Sequence, residues 1–182
     1  MKARLAKTIL AMFVAVVMAA ILQELVPAFS AAHVKLPCLL GVAVYYSMCR
    51  EPVYGVTAAV VCGVLQDGLG NIPYGVSLIS FCVTSLLCIL VLRRQLPENT
   101  VSCMIVGMAG GLLTQVLQYA ALVWSGQYAV LPFLFLMLRA AAVAVVSGLT
   151  AGVMAVFARH MDCISGNAGL ENDGDSFSWN KN

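Results

Sequence analysis

Three ionisable side chains fall inside or at the edge of long apolar runs: Glu24, Asp67 and Arg139. An arginine near the centre of a membrane helix costs roughly 2.5–3.5 kcal/mol to insert. Arg139 lies eight residues beyond Leu131, about 12 Å along a helix at 1.5 Å per residue. A carboxylate at matching depth would offset its charge, so we expect Arg139 to face the bundle and pair with Asp67 or Glu24. The alternative is that it snorkels to the interface.

Asp67 is given a direction by its neighbours. Gly55, Ala59, Gly63 and Asp67 recur every four residues, which puts them on one helix face. Small residues at that spacing let two helix backbones approach closely. Gly107-x-x-x-Gly111 and Gly148-x-x-x-Gly152 repeat the device further along. We expect these faces to pack within the bundle rather than to dock a partner's helix. After Asp67, Gly68 and Gly70 weaken the helix, Asn71 accepts a left-handed backbone, and Pro73 suits the first turn of a new helix. The stretch 68–74 is therefore expected to be a tight turn. Gln66, Gln115, Gln118 and Tyr119 are candidates for polar contacts between helices.

The residues that catalysis would need are not grouped. There is no H-E-x-x-H, no phosphate-binding glycine loop and no nucleophile beside a base. His33 falls in an outer loop and His160 at an inner end, far apart on opposite sides. The cysteines, Cys38, Cys49, Cys62, Cys82, Cys88, Cys103 and Cys163, form no C-x-x-C pair and read as small buried hydrophobes. Asp67-Gly68 also begins the alcohol-phosphatidyltransferase pattern, but no further aspartate follows in the adjoining segments. No catalytic residue, cofactor or metal is expected.

The elements that must position these residues are membrane helices. Of 182 residues, 62% are hydrophobic and 10% charged, against about 25% charged in soluble domains. The formal charge of +2 gives no electrostatic case for nucleic acid. In the bilayer a helix satisfies its own backbone, and the ten-residue alternation of a β-barrel is missing. We therefore expect an all-α integral membrane protein, a six-helix bundle over residues 1–164. Its helices lie near 8–29, 34–49, 53–67, 74–92, 101–124 and 131–158. The first, fourth, fifth and sixth reach the length of a full span. The second and third are short, split only by Arg50-Glu51-Pro52, and a shallow re-entrant pair is the alternative.

Charge supports six crossings. With a cytoplasmic N-terminus, Lys2, Arg4, Lys7, Arg50, Arg93, Arg94 and Arg159 lie inside, and Lys35 alone lies in an outer loop. Both termini are then cytoplasmic. The first 31 residues resemble a signal peptide with an Ala28–Ala31 cleavage site, but Gln23 and Glu24 interrupt its apolar part, so an uncleaved first span is expected. Residues 165–182, with Glu171, Asp173 and Asp175, read as a disordered acidic tail.

Gly63, Asp67, Asn71, Pro73 and Gly75 fit G-x(3)-D-x(3)-G-x-P-x-G, with Asn71 where the pattern has glycine. This stretch resembles the hallmark of the rod shape-determining MreD family. The resemblance covers 13 residues; elsewhere only length and topology agree. It implies a multi-pass protein of the bacterial inner membrane with a fold like the S components of energy-coupling-factor transporters. It also implies a non-enzymatic scaffold of the cell-elongation complex, supporting peptidoglycan synthesis and rod shape. The implied partners are MreC and, through it, MreB, a SEDS glycan polymerase and its transpeptidase, all within the lipid bilayer. A membrane substrate binder, with Glu24, Asp67 and Arg139 lining a pocket, is the alternative.

Overall fold

In the computed structural model, residues 2–25, 36–69, 75–97, 99–124, 126 and 133–164 are described. They form six α-helices: α1 (Lys2–Leu25), α2 (Cys38–Cys49), α3 (Pro52–Leu69), α4 (Val76–Leu90), α5 (Thr100–Trp124) and α6 (Phe133–Ile164), with a 3-10 turn at Leu92–Arg94. Four of them, α1, α3, α5 and α6, are long and apolar enough to cross a bilayer, which makes the chain a multi-pass membrane protein. Asn71, Pro73, His33, Lys35, the Ala28–Ala31 stretch and the 165–182 tail lie outside the described residues.

The arrangement is a ring around one helix. α2 packs against all five others, while α3, α4, α5 and α6 follow one another around it and α1 closes the circuit between α6 and α3. Every residue from Cys38 to Met48 is buried. The reason lies in composition: CLLGVAVYYSMC is apolar on all sides, and such a helix belongs in a core. Its twelve residues span only about 18 Å, less than the hydrocarbon thickness. Enclosure removes the need for its ends to meet lipid, which is how a short apolar helix is accommodated.

Several helix boundaries differ from those expected, each for a local reason. α2 starts at Cys38 rather than at 34, because Pro37 occupies the cap position with φ −83° and ψ 61° and supplies no amide. α3 begins at Pro52 and runs to Leu69, so the third segment reaches span length. α4 covers Val76–Leu90, short of the expected 74–92. Its start is fixed by Gly75, whose φ of +98° cannot belong to a right-handed helix. α6 continues six residues past the expected end at 158, to Ile164; its last turns carry a buried aspartate described below. α5 begins one residue earlier than expected, at Thr100, where Asn99 Oδ1 accepts Ser102 N at 2.8 Å and Ser102 Oγ at 2.9 Å, an N-cap.

The small-residue faces pack inside the molecule. On α3, the buried residues Gly55, Ala58, Ala59, Cys62, Gly63 and Asp67 form the stripe that their spacing implies. A Cβ on Gly55 would stand 2.8 Å from Ser47 Cα of α2, and one on Gly63 2.6 Å from Leu78 Cα of α4. Gly107 and Gly111 of α5 lie against Ala151 and Ser147 of α6; Gly148 and Gly152 lie against Met108 and Met104 of α5. Serines continue the theme between α2 and α4, where Ser47 Oγ and Ser85 Oγ are 2.8 Å apart.

Backbone cannot yield as a flexible side chain can, so these contacts make a graded expectation. Gly63→Val should destabilise the bundle by about 1–3 kcal/mol through overpacking. Gly68→Ala, whose added methyl would meet nothing within 4 Å, should leave stability unchanged or raise it by up to about 1 kcal/mol. Unfolding of the purified protein in detergent micelles measures both; equal effects would contradict this packing.

Candidate functional site

Asp67 occupies the last turn of α3 and is 4% exposed. Its carboxylate reaches across the turn to the first residues of α4. Oδ2 accepts the amides of Gly75 at 2.8 Å and Leu78 at 3.3 Å, and Oδ1 accepts that of Ser77 at 3.0 Å. The first amides of a helix have no partners within it, and α4 has no side-chain cap of its own at Gly75. Asp67 therefore serves as a cap supplied by the preceding helix, with its negative charge at the positive end of the α4 dipole. Gly75 in the left-handed region turns the chain so that these amides point back at Asp67.

Of the motif residues, Gly63, Asp67 and Gly75 act together here: Gly63 lets α3 and α4 approach, Asp67 ties them, and Gly75 sets the entry angle. At the residue before Asp67, Gln23 Nε2 of α1 donates to Gln66 Oε1 at 2.8 Å, which joins α1 to the same end. Gln118 Nε2 of α5 approaches Ser77 Oγ at 3.5 Å.

The expected ion pair is not formed. Among the described residues no salt bridge joins Arg139 to Asp67 or Glu24, and Arg139 Nε is buried without a hydrogen-bond partner. The physical reason is competition: the α4 amides are fixed in place within hydrogen-bond distance of Asp67, whereas Arg139 sits on α6, across the ring from α3. Glu24 lies instead beside a cleft of about 530 Å³ between the ends of α1 and α3, lined otherwise by Ala20, Ile21, Leu25 and Leu69. Gly55, Gly107, Gly111, Gly148 and Gly152 pack closely against neighbouring helices, and Ala59 is buried.

The opposite end of the bundle holds an ion pair that the sequence reading passed over. Asp162, 2% exposed in the last turns of α6, receives Arg50 Nη2 at 2.8 Å and Arg50 Nε at 3.2 Å on Oδ2. Tyr45 OH donates to the same oxygen at 2.9 Å. Arg93 Nη1 donates to the Arg50 carbonyl at 2.7 Å. The ring of Tyr46 meets that of Tyr45 edge-on, with centroids 5.2 Å apart. Burial alone would lower the Arg50 pKa, but the hydrogen bond and charge of Asp162 outweigh it, and the net direction is upward. The group ties the α2–α3 turn, the α4–α5 connection and the end of α6 together. Its signal in the sequence was Arg50 itself, held close to the core by a connection of only two residues, Arg50 and Glu51.

Removing one partner of a buried pair leaves the other charge stranded, at a cost of about 3–5 kcal/mol, whereas replacing both with apolar residues can be neutral. Arg50→Ala should therefore destabilise the bundle strongly, and Arg50→Met combined with Asp162→Leu should recover most of the loss in the same micelle unfolding measurement. No recovery in the double variant would contradict a simple pair. No family model, curated protein or solved structure matches the chain.

Proposed function

We propose that this chain is a non-enzymatic membrane scaffold of the MreD type. In this reading it crosses the bacterial inner membrane six times with both termini in the cytoplasm, has an S-component-like fold, binds MreC and supports the elongation machinery. The observation that carries the proposal is the use made of Asp67. The acidic residue at the centre of the motif is spent on the amides of α4, which fixes the α3–α4 corner as a rigid feature at one end of the bundle. A carboxylate with both oxygens engaged by backbone is suited to holding a surface in shape, and poorly suited to proton transfer or to seizing a substrate.

The substrate-binder reading has the α1–α3 cleft in its favour, but among the described residues that cleft is lined by four apolar residues and Glu24. Small-molecule sites gather several convergent polar groups. Asp67 and Arg139, which that reading placed with Glu24, do not line it. In lipid, association between helices depends on close packing, and a fixed corner with exposed α3 and α4 faces on either side offers a partner's transmembrane helix a constant shape.

Capture of the tagged full-length chain from membranes, with mass spectrometry of the bound proteins, tests this. We expect MreC to be recovered, and Asp67→Leu to reduce recovery at least several-fold while Val64→Leu, on the exposed face of α3, leaves it unchanged. Recovery of energy-coupling ATPase subunits in place of MreC would overturn the reading. So would equal recovery by both variants.

A further inference from the structure

Arg139 stands in the part of the α5–α6 pair that the bundle does not close. The buried residues of α5 run from Ser102 to Gly111 and stop there. In α6, where side chains are described, burial begins only at Ala144. The two helices are antiparallel neighbours whose register is set by glycines: Gly107 lies against Ser147 and Ala151, and Gly111 against Ser147 and Val143. Continued by one to two turns, that register puts Arg139 level with Gln115 and Gln118. Both glutamines and Tyr119 are half-buried there. The half of the pair nearest the α5–α6 connection is thus a polar groove inside an apolar surface.

The groove carries a positive charge that the described residues do not answer. Arg139 Nε is buried and has no hydrogen-bond partner. Asp67 is committed to α4 through both oxygens, and no ion pair reaches Arg139 from Glu24 among the described residues. Arg139 follows Phe133, the first residue of α6, by six positions, about 9 Å along the helix. A guanidinium at that depth can extend to the headgroup layer. Leu112, Val116, Phe135 and Leu138 around it are exposed and apolar, as acyl chains require.

We propose that this groove binds the phosphate of a phospholipid headgroup on Arg139, with Gln115 as a secondary donor and the neighbouring apolar residues along the lipid chains; Gln118 is turned to Ser77 of α4. A guanidinium matches phosphate in a two-point fork, and lipid phosphate is the abundant anion at this depth of a bilayer. The inference depends on membrane insertion alone and stands apart from the scaffold reading.

The test is native mass spectrometry of the delipidated full-length protein, titrated with phosphatidylglycerol and, separately, with a diacylglycerol of the same chains. Wild type is expected to bind the phospholipid in preference to the diacylglycerol. Arg139→Leu should weaken phospholipid binding about tenfold or more, and Arg139→Lys, which keeps the charge but loses the fork, should fall between. Arg159→Leu, at the far end of α6, should bind as wild type does. Equal binding of the two lipids by wild type, or undiminished phospholipid binding by Arg139→Leu, would overturn the proposal. So would finding that an acidic transmembrane partner, co-purified with the chain, excludes lipid from this groove.

Discussion

The carboxylate of Asp67 has two oxygens, and both face the amides of the next helix. Among the described residues nothing else caps this helix: α4 is entered through Gly75, which has no side chain to cap it. Three donors would otherwise lack acceptors, and each buried, unsatisfied polar group costs about 1–3 kcal/mol. The α3–α4 hairpin, and with it the close contact of Gly63 with Leu78, follows from meeting this requirement. A polar residue in the membrane is here an element of architecture.

Other polar groups meet the same constraint by different means. Serines and threonines return their hydroxyls to the carbonyl a turn behind, as Ser47 does to Ala43 and Thr84 to Ser80. Arg50 and Asp162 satisfy each other and clamp the opposite end of the bundle. Two atoms in that cluster, Tyr46 Oη and Asp162 Oδ1, are buried without partners, so the clamp is incomplete on one side. The α2 helix contributes a large apolar core and two side-chain hydrogen bonds to its neighbours, from Tyr45 to Asp162 of α6 and between Ser47 and Ser85 of α4; five helices can enclose it because it is short.

What could be read in the sequence was what period and residue size determine. The four-residue recurrence of Gly55, Ala59, Gly63 and Asp67 gave the inward face of α3, and the paired glycines of α5 and α6 gave their seam. The direction of Asp67 was legible, but its partner was not. Charges are visible in a sequence, so Arg139 looked like the answer; amides at a helix start are uniform along the chain and become donors only once Gly75 has turned them. The Arg50–Asp162 pair was hidden for a related reason. Arg159-His160 looked like the polar end of a helix, which placed Asp162 beyond it, while burial of the aspartate lets the helix continue. The central position of α2 was available from its uniformly apolar composition, yet length argued the other way.

Amide hydrogen exchange tests the central claim most directly, comparing wild type with Asp67→Ala in the same micelles. If Asp67 holds the start of α4, the amides of Gly75, Ser77 and Leu78 should lose protection in the variant while those in the α5–α6 seam keep theirs. Unchanged protection at those three amides would show that something other than this carboxylate fixes the corner.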